Sequence, residues 1–435
     1  MKFYFNVMTA IIIFLIATTA FAQPVQTDSL SLNQAIKMAI TNQPLVQQAE
    51  EQIYAAEAKI KQQKTFYLPN VEGDVSYTRI GPIPSFAFGG SVLDLAPANN
   101  YDAHVIASQL LYDFGKRDAL VELSKSFKLS SQDKVKLIQN NLAYQTARAF
   151  YTIIFLEKSI QVKDEQLNTL NKHIEIAMKK VQSGSATDFD VLTTKVRVAA
   201  VQNQKIDLEN SLAKAKIYLK SLMGWPSGKE LKLTGQFTVN SLNLNSEDLI
   251  NEAFSKRPEL KLAEDAEKSA VLNKQVISLE DKPMVNLIAS YGLKNGFEPN
   301  LDVLRGNWAA GINAQIPIFN GNLKDAKLEE ADANIKTSSI KILELRRNIK
   351  ADVEQAVADI NSGKAKIETA KLQVAQATEA VSRAQIQYQN GVITNLDLID
   401  AETSLTEAEL QYVQVLYNNV LNSYELDQAL GNKTW

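Results

Sequence analysis

Three aspartates beside two short glycine turns stand out among the 435 residues of this chain for their type and spacing. Asp190 and Asp397 each lie three residues after a threonine, Thr187 and Thr394. An acid at this position of a threonine-capped helix accepts hydrogen bonds from free N–H groups and offsets the helix dipole. Asp400 lies one turn further on, beyond the reach of a cap, and shares a helix face with Asp397. We therefore predict capping at the first two positions and attraction of cations by the Asp397–Asp400 pair.

Residues suited to catalysis are few. The chain has no cysteine, which excludes disulfides and thiolate metal sites, and its two histidines are His104 and His173. His173 is predicted on a solvated helix surface. We found no phosphate-binding glycine loop and no Ser/His/Asp arrangement, and the net charge of −3 disfavours nucleic acid as a partner. We therefore predict no enzyme activity, no cofactor and no metal site.

The chain contains an internal repeat. Pro44, Pro69 and Tyr77 recur 214 residues later, and the segments at 110–119 and 181–192 recur 207 residues later at 317–326 and 388–399. A constant displacement over such lengths indicates two structurally equivalent halves, since loops tolerate insertions better than helices and strands do. The displacement changes after Tyr77, where we predict a variable loop. We expect the Gly- and Pro-rich segment over 80–100 to cap the outer mouth of the fold, either as a constriction or only as a surface loop.

The predicted organisation has four parts. A signal peptide over 1–22 ends in Ala20-Phe21-Ala22, for which an uncleaved membrane anchor is the alternative. An equatorial connector over 231–246 joins the two repeats. The first repeat, 23–230, is predicted to contain a helix over 32–66, strands over 71–79 and 101–112, a long helix over 118–183 and a helix over 188–223. The second repeat, 247–435, is predicted to contain a helix over 247–280, strands over 285–294 and 307–318, a long helix to 390 and a helix over 395–430.

The long helices follow from an apolar stripe at three- and four-residue steps without proline or glycine between 118 and 183. Such a helix is about 100 Å long at 1.5 Å per residue, so it must lie along partners of similar length. Each long helix is predicted to pair with two shorter ones stacked end to end.

The four strands alternate apolar and small or polar residues over the length typical of transmembrane β-strands. Tyr77, Tyr101, Tyr291 and Trp308 are predicted to form an aromatic girdle at the membrane interface. His104 is predicted to point into the barrel lumen without chemistry of its own. A soluble β-sandwich is the alternative, but two hairpins make a poor sandwich core.

Four strands cannot close a barrel, and an open sheet edge in lipid is prohibitively costly. A dimer would give eight strands with a filled interior, whereas a trimer would give twelve and leave a lumen. The predicted fold class is therefore a mixed α and β membrane protein. Its trimeric 12-stranded β-barrel continues into a long α-helical barrel.

In both repeats the motifs resemble those of TolC-type outer-membrane efflux proteins. They are LSLNQAIKMAITNQPLVQQAEEQI, LPNVEGDVSYT, LLYDFGKRDA with PIFNGNLKDA, and SGSATDFDVL with NGVITNLDLI. The resemblance covers the mature chain and implies a homotrimer in the outer membrane with a long periplasmic extension. It further implies an exit duct that docks to a periplasmic adaptor and, through it, to an inner-membrane transporter.

The resemblance also implies roles for residues near the glycine turns. The predicted periplasmic gate consists of Asp397, Asp400, Tyr388 and Asp190. Ile393 stands where the family's best-studied gate has an arginine, which speaks against a salt-bridge latch. The predicted adaptor-docking tips are Gly184, Ser185, Ala186 and Thr187 in the first repeat and Gly391, Val392, Ile393 and Thr394 in the second.

Export of small molecules is the favoured function, and type I protein or peptide secretion is the alternative within the family. A periplasmic coiled-coil protein without a pore is the alternative from another class. We expect a cleaved signal peptide, contact with outer-membrane lipid and no lipid anchor, since the chain has no cysteine to carry one.

Overall fold

The computed structural model describes residues 29–238 and 245–433. The predicted signal peptide, and residues 239–244 of the predicted connector, lie outside these ranges. The helices are α1 (Leu32–Asn42), α2 (Pro44–Thr65), α3 (Lys116–Gln182), α4 (Asp188–Met223), α5 (Ser246–Lys256), α6 (Pro258–Ser278), α7 (Leu323–Gln389) and α8 (Asn395–Leu430). The strands are β1 (Asn70–Arg79), β2 (Ser85–Phe88), β3 (Ser91–Asp94), β4 (Asn99–Tyr112), β5 (Met284–Lys294) and β6 (Arg305–Gln315).

Helices α3 and α7 contain 67 residues each, and each turns back into a helix of 36 residues, α4 or α8. We call α3–α4 the first hairpin and α7–α8 the second hairpin. The first hairpin packs on the second through α3 and α8, and α2 and α6 pack along the long helices on the side of the strands. The long helices therefore carry the strands at one end and the two hairpin turns at the other.

The prediction of one continuous helix over 32–66, and of another over 247–280, was wrong. Both break at a proline: α1 ends before Pro44 and α5 ends before Pro258, and each proline begins the next helix. Proline lacks an N–H donor and its ring clashes with the preceding turn, so it is tolerated in the first turn of a helix but not within one. The break lets α1 end against α4, where Asn42 Nδ2 donates to the Met223 carbonyl at 2.9 Å.

Four strands form one antiparallel sheet in the order β1-β4-β5-β6. The register pairs Tyr77 with Tyr101 and Tyr291 with Trp308. It places most apolar positions of the four strands on one face, while Ile106 and Ile288 lie on the other. The fourth strand ends at Gln315, so the prediction that it extends to Ile318 was wrong. Pro317 has no N–H to donate to a strand ladder.

The segment between β1 and β4 is more ordered than a Gly- and Pro-rich loop suggests. Strands β2 and β3 form a hairpin of their own, joined by Gly89 and Gly90 at φ of 59° and 87°. The sequence reasoning missed this hairpin because each strand has only four residues.

The largest buried cluster lies midway along the long helices, around Phe150 and Ile153 of α3. Leu30 bridges to Leu233, which brings the segment after α4 onto this cluster. Gly235, in this segment, lies so close to α3 that a Cβ atom added to it would be 2.6 Å from Ile154 Cδ1. Among the described residues, no helix combines the length and apolarity needed to span a membrane.

Candidate functional site at the hairpin tips

The two hairpin turns have the same backbone construction. Gly184 and Gly391 adopt φ of 75° and 74°. The residue after each glycine donates its N–H back to the preceding helix. The Ser185 N–H lies 2.8 Å from the Lys180 carbonyl, and the Val392 N–H lies 2.9 Å from the Gln387 carbonyl. This is the helix end that glycine favours, because a side chain is strained at positive φ. No atom lies within 4 Å of an added Cβ at either glycine, so the dihedral angle alone requires glycine.

Both return helices begin with a reciprocal capping box. The Thr187 N–H donates to Asp190 Oδ2 at 2.9 Å, and the Thr394 N–H donates to Asp397 Oδ2 at the same distance. Each threonine hydroxyl also bonds the same carboxylate, at 2.8 Å and 2.6 Å. The hydroxyl and N–H of Thr394 lower the pKa of the Asp397 carboxyl. Capping is therefore a structural role of both aspartates.

Asp400 is exposed on α8, and its side chain makes no hydrogen bond or ion pair within 29–238 and 245–433. Its backbone carbonyl accepts a bond of 2.9 Å from the Ser404 hydroxyl. The Asp397 side chain is exposed as well. The described residues contain no group of three or more acids, histidines or cysteines able to hold a metal ion. Both carboxylates of the pair are therefore open to solvent in the single chain.

Tyr388 is buried at the end of α7 against Ala384 and Leu398. Lys180 of the first hairpin lies 4.0 Å from the centre of its ring and donates to its backbone carbonyl at 2.6 Å. Burial, and secondarily the negative charge of Asp190, raises the pKa of Tyr388. Its hydroxyl has no hydrogen-bond partner among the described residues. Tyr388 thus joins the two hairpins through its ring and its carbonyl.

The tips are more apolar than their turn residues suggest. Val392 is 71% exposed and Leu396 64%, and Phe189 and Leu192 are exposed on α4. Ser185, Thr187 and Thr394 are exposed as well, while Ala186 and Ile393 are half-buried. The sequence reasoning missed Phe189, Leu192 and Leu396. The sequence did offer a signal for them: all three follow closely after a capping threonine, so they lie in the first turns of the return helices, beside the exposed hairpin turns.

A second set of residues missed by the sequence reasoning joins the hairpins just behind the tips. The prediction that His173 is solvated was wrong: its side chain is buried with that of Glu402, and Nε2 lies 3.0 Å from Oε1. Asn395 Nδ2 donates to Thr194 Oγ1 at 3.1 Å. Sequence alone cannot show these contacts, because they join helices about 200 residues apart.

At the other end of the molecule, the four aromatic residues predicted at the membrane interface share the apolar face of the sheet. The ring centres of Tyr77 and Tyr101 are 5.1 Å apart. His104 lies on the opposite, polar face, where its ring bonds Asp102 and Asn307. Asp102 also pairs with Lys294 at 3.1 Å. That face thus carries a charged network to which His104 belongs.

The fold and tips together define a class: a chain with a membrane-type sheet at one end and two very long helical hairpins at the other. A family model described as outer membrane efflux protein matches residues 35–225 and 249–432. The chain therefore belongs to the outer membrane efflux protein family, and the resemblance seen in the repeated motifs is confirmed.

Known relatives agree with this assignment. The chain is 21% identical to the outer membrane protein TolC of Salmonella enteritidis, over 92% of this chain and 82% of that protein. It is 22% identical to the cation efflux system protein CusC of Escherichia coli O6:H1, over 91% of this chain and 85% of that protein. The crystal structure of the outer membrane protein VceC from Vibrio cholerae superposes with a TM-score of 0.78 at 20% identity, covering 93% of this chain and 97% of that one. The protein is thus an outer-membrane export duct and not an enzyme.

Proposed function

We propose that three copies of this chain form the exit duct of a tripartite export system, with a shared β-barrel in the outer membrane and a helical tube in the periplasm. The observation that carries the proposal is the isolated four-stranded sheet. Strands β1 and β6 are its edges, and each has one side without a strand partner among the described residues. Edges of this kind must pair with another copy before the sheet can lie in lipid.

The apolar face of the sheet supports its place in the membrane. Trp308 is 76% exposed, and Val75, Tyr291 and Ile312 are exposed on the same face. The opposite face carries Asp74, His104 and Asn307 side by side across the strands. This division suits a barrel with lipid outside and water inside.

The hairpin tips are proposed to dock the periplasmic adaptor, which would connect the duct to an inner-membrane transporter. Their exposed apolar side chains, Phe189, Leu192, Val392 and Leu396, suit contact with a protein partner. Tyr388, Asp190, Asp397 and Asp400 lie just behind the tips and are proposed to form the gate. Three copies would bring their carboxylates together at a narrow aperture, where rings of acids favour cations.

Small molecules are the proposed substrates. The relative CusC is described as a cation efflux system protein, and the acidic residues behind the tips of this chain suit a cationic substrate. Type I protein or peptide secretion is the alternative within the same architecture. Deletion of the gene should sensitise the native host to small toxic cations if the first holds, and should abolish secretion of a protein if the second holds.

The test of the duct itself is whether the chain forms channels. Protein extracted from the membrane fraction should run as a heat-modifiable, detergent-resistant trimer and should conduct ions in planar bilayers. A monomeric or soluble coiled-coil protein without conductance would contradict the proposal and favour a periplasmic structural role.

A further inference from the structure

The contact between α3 and α6 encloses two carboxyl groups. Asp133 of α3 is 7% exposed and Asp265 of α6 is 6% exposed. The Asp265 carboxyl lies within hydrogen-bonding range of the Asp133 carboxyl. Nearer the sheet, the hydroxyls of Ser126 and Ser269 lie 2.9 Å apart across the same two helices, which fixes the register of the contact. The two acids are therefore held face to face away from water.

Two ionised carboxylates cannot satisfy each other. Each of them accepts hydrogen bonds but has no hydrogen to donate, and their negative charges repel. Asp265 Oδ2 is buried, and it has no hydrogen-bond partner among the described residues. An unmatched buried carboxylate is costly, whereas a proton on one of the two acids removes that charge and supplies a donor to the other. The geometry of the pair therefore requires one bound proton.

The surrounding charges place the proton on Asp265 rather than on Asp133. Lys136, on the next turn of α3, lies 2.6 Å from Asp133 Oδ1, so the Asp133 carboxylate has a cation beside it. Burial first, and the hydrogen bond with Asp133 second, raise the pKa of Asp265. Lys261 and Lys268, on the same helix as Asp265, act in the opposite direction but are weaker.

Helix α6 also packs on α7, and charged residues of α7 bind other parts of α6. Asp332 of α7 pairs with Lys274. Arg346 Nη2 of α7 lies 3.6 Å from Glu264 Oε1. A metal ion would need further ligands, and the described residues contain no group of three or more acids, histidines or cysteines able to hold one. A proton from solvent is therefore the ligand that fits the pair.

We propose that Asp133 and Asp265 form a proton-binding site that fastens α6 to α3 when it is occupied. The proton comes from solvent, binds a carboxylate oxygen of Asp265 and forms a hydrogen bond to the Asp133 carboxylate, whose charge Lys136 balances. When the proton leaves for solvent, two buried negative charges oppose each other and the contact loosens. Helix α6 leads into β5, so the site makes the attachment of the sheet to the long helices depend on pH.

The direction of this pH dependence follows from the raised pKa of Asp265. The ordinary pKa of 3.8 holds in the unfolded chain, and the folded value lies above it. The site therefore stabilises the fold fully below 3.8 and loses this contribution as pH rises through the raised pKa. The Asp397 cap behaves in the opposite way, because its pKa is lowered on folding.

The variant Asp265→Asn tests the site, because an amide has the shape of the acid and donates a hydrogen bond to Asp133 without titrating. Amide hydrogen exchange of α6 in the full-length protein, measured by mass spectrometry, reports how firmly the helix is held. Comparison of the variant with the wild type at the same pH removes the effect of pH on exchange itself. The wild-type rate relative to that of the variant should rise by up to about tenfold per pH unit between 3.8 and the raised pKa, and should then level off.

The matched control is Glu51→Gln in α2. Glu51 lies 214 residues before Asp265, at the equivalent position of the first repeat, and it is exposed. In the second repeat, Ile340 stands where the first has Asp133, so the equivalent contact cannot contain a carboxyl pair. Glu51→Gln should therefore exchange like the wild type at every pH. A constant ratio between the wild type and Asp265→Asn over the same pH range would overturn the inference.

A carbon-13 titration of the aspartate carboxyl groups gives a second measurement. The Asp265 signal, assigned by its absence from the Asp265→Asn spectrum, should titrate with a midpoint above 3.8. Asp133→Asn removes the neighbouring charge and should lower that midpoint. A wild-type midpoint at or below 3.8 would overturn the inference. Both measurements are read within one protomer, so failure to form a conducting trimer would contradict only the proposed function.

Discussion

At the scale of single residues, Asp397 and Asp400 differ in what holds them. Asp397 is the acid of a capping box, whereas the Asp400 carboxylate has no partner within the described part of the chain. The Asp397 carboxylate stabilises the start of α8, whereas the Asp400 carboxylate is available to attract ions. The two positions should therefore respond differently to the same substitution.

We expect Asp400→Asn to weaken cation preference and block by multivalent cations without affecting stability, because no folded-state partner is lost. Asp397→Asn should weaken cation preference and also loosen the start of α8. Asp190→Asn should mainly loosen the start of α4 and should change the cation preference less than Asp400→Asn does, because Asp190 caps its helix and is half-buried. Single-channel recordings in salt gradients measure the cation preference. If the double variant Asp397→Asn/Asp400→Asn shows unaltered selectivity and unaltered block by cations, the gate lies elsewhere.

The Asp397 cap also predicts a pH dependence. Its pKa is lowered in the folded chain from the ordinary value of 3.8, so its stabilising contribution is complete above that value and is lost as pH falls through the lowered pKa. A carbon-13 titration of the carboxyl group should show this midpoint below 3.8. Thr394→Val removes the hydroxyl donor and should move the midpoint upwards, whereas Thr187→Val in the other hairpin should not. Equal midpoints in all three proteins would contradict the assignment.

At the scale of elements, β6 offers a direct test of which face of the sheet meets lipid. Ile312 shares the apolar face with Trp308, and its neighbour Asn313 faces the other way. Ile312→Lys should destabilise the barrel by about 2–4 kcal/mol if it lies near the midplane of the membrane. Asn313→Lys is the matched control and should be tolerated. The yield of heat-modifiable trimers measures the effect, and equal yields would mean that the strands do not lie in lipid.

At the scale of the whole molecule, the hairpin tips lie farthest from the strands, where a partner from the inner membrane would arrive. Ser185→Arg or Val392→Arg adds a bulky charge to this surface without changing the glycine that ends each helix. Either substitution should abolish export while trimers still form, because a charge facing an apolar partner surface must be desolvated. Val392→Leu keeps the apolar character and should export normally. If both arginine variants export at the normal rate, the turns do not dock an adaptor and serve only to end the helices.

Much of the fold follows from the sequence because its signals are local and repeated. The alternation of apolar residues, the capping threonines and the turn glycines each act within a few residues, and every one of them occurs in both repeats. The family could be inferred for the same reason. The element boundaries that were predicted wrongly each lie beside a proline. Pro44 and Pro258 break the predicted helices, and Pro317 lies past the end of β6.

Sequence by itself determined the long helices, the four strands of the main sheet, the hairpin turns and the capping role of Asp190 and Asp397. Only the tertiary structure decided that His173 is buried against Glu402 and that Asn395 joins Thr194. It also decided that Tyr388 rests under Lys180. The physical reason is distance along the chain: these contacts bring together side chains about 200 residues apart, and no local pattern records which helices become neighbours.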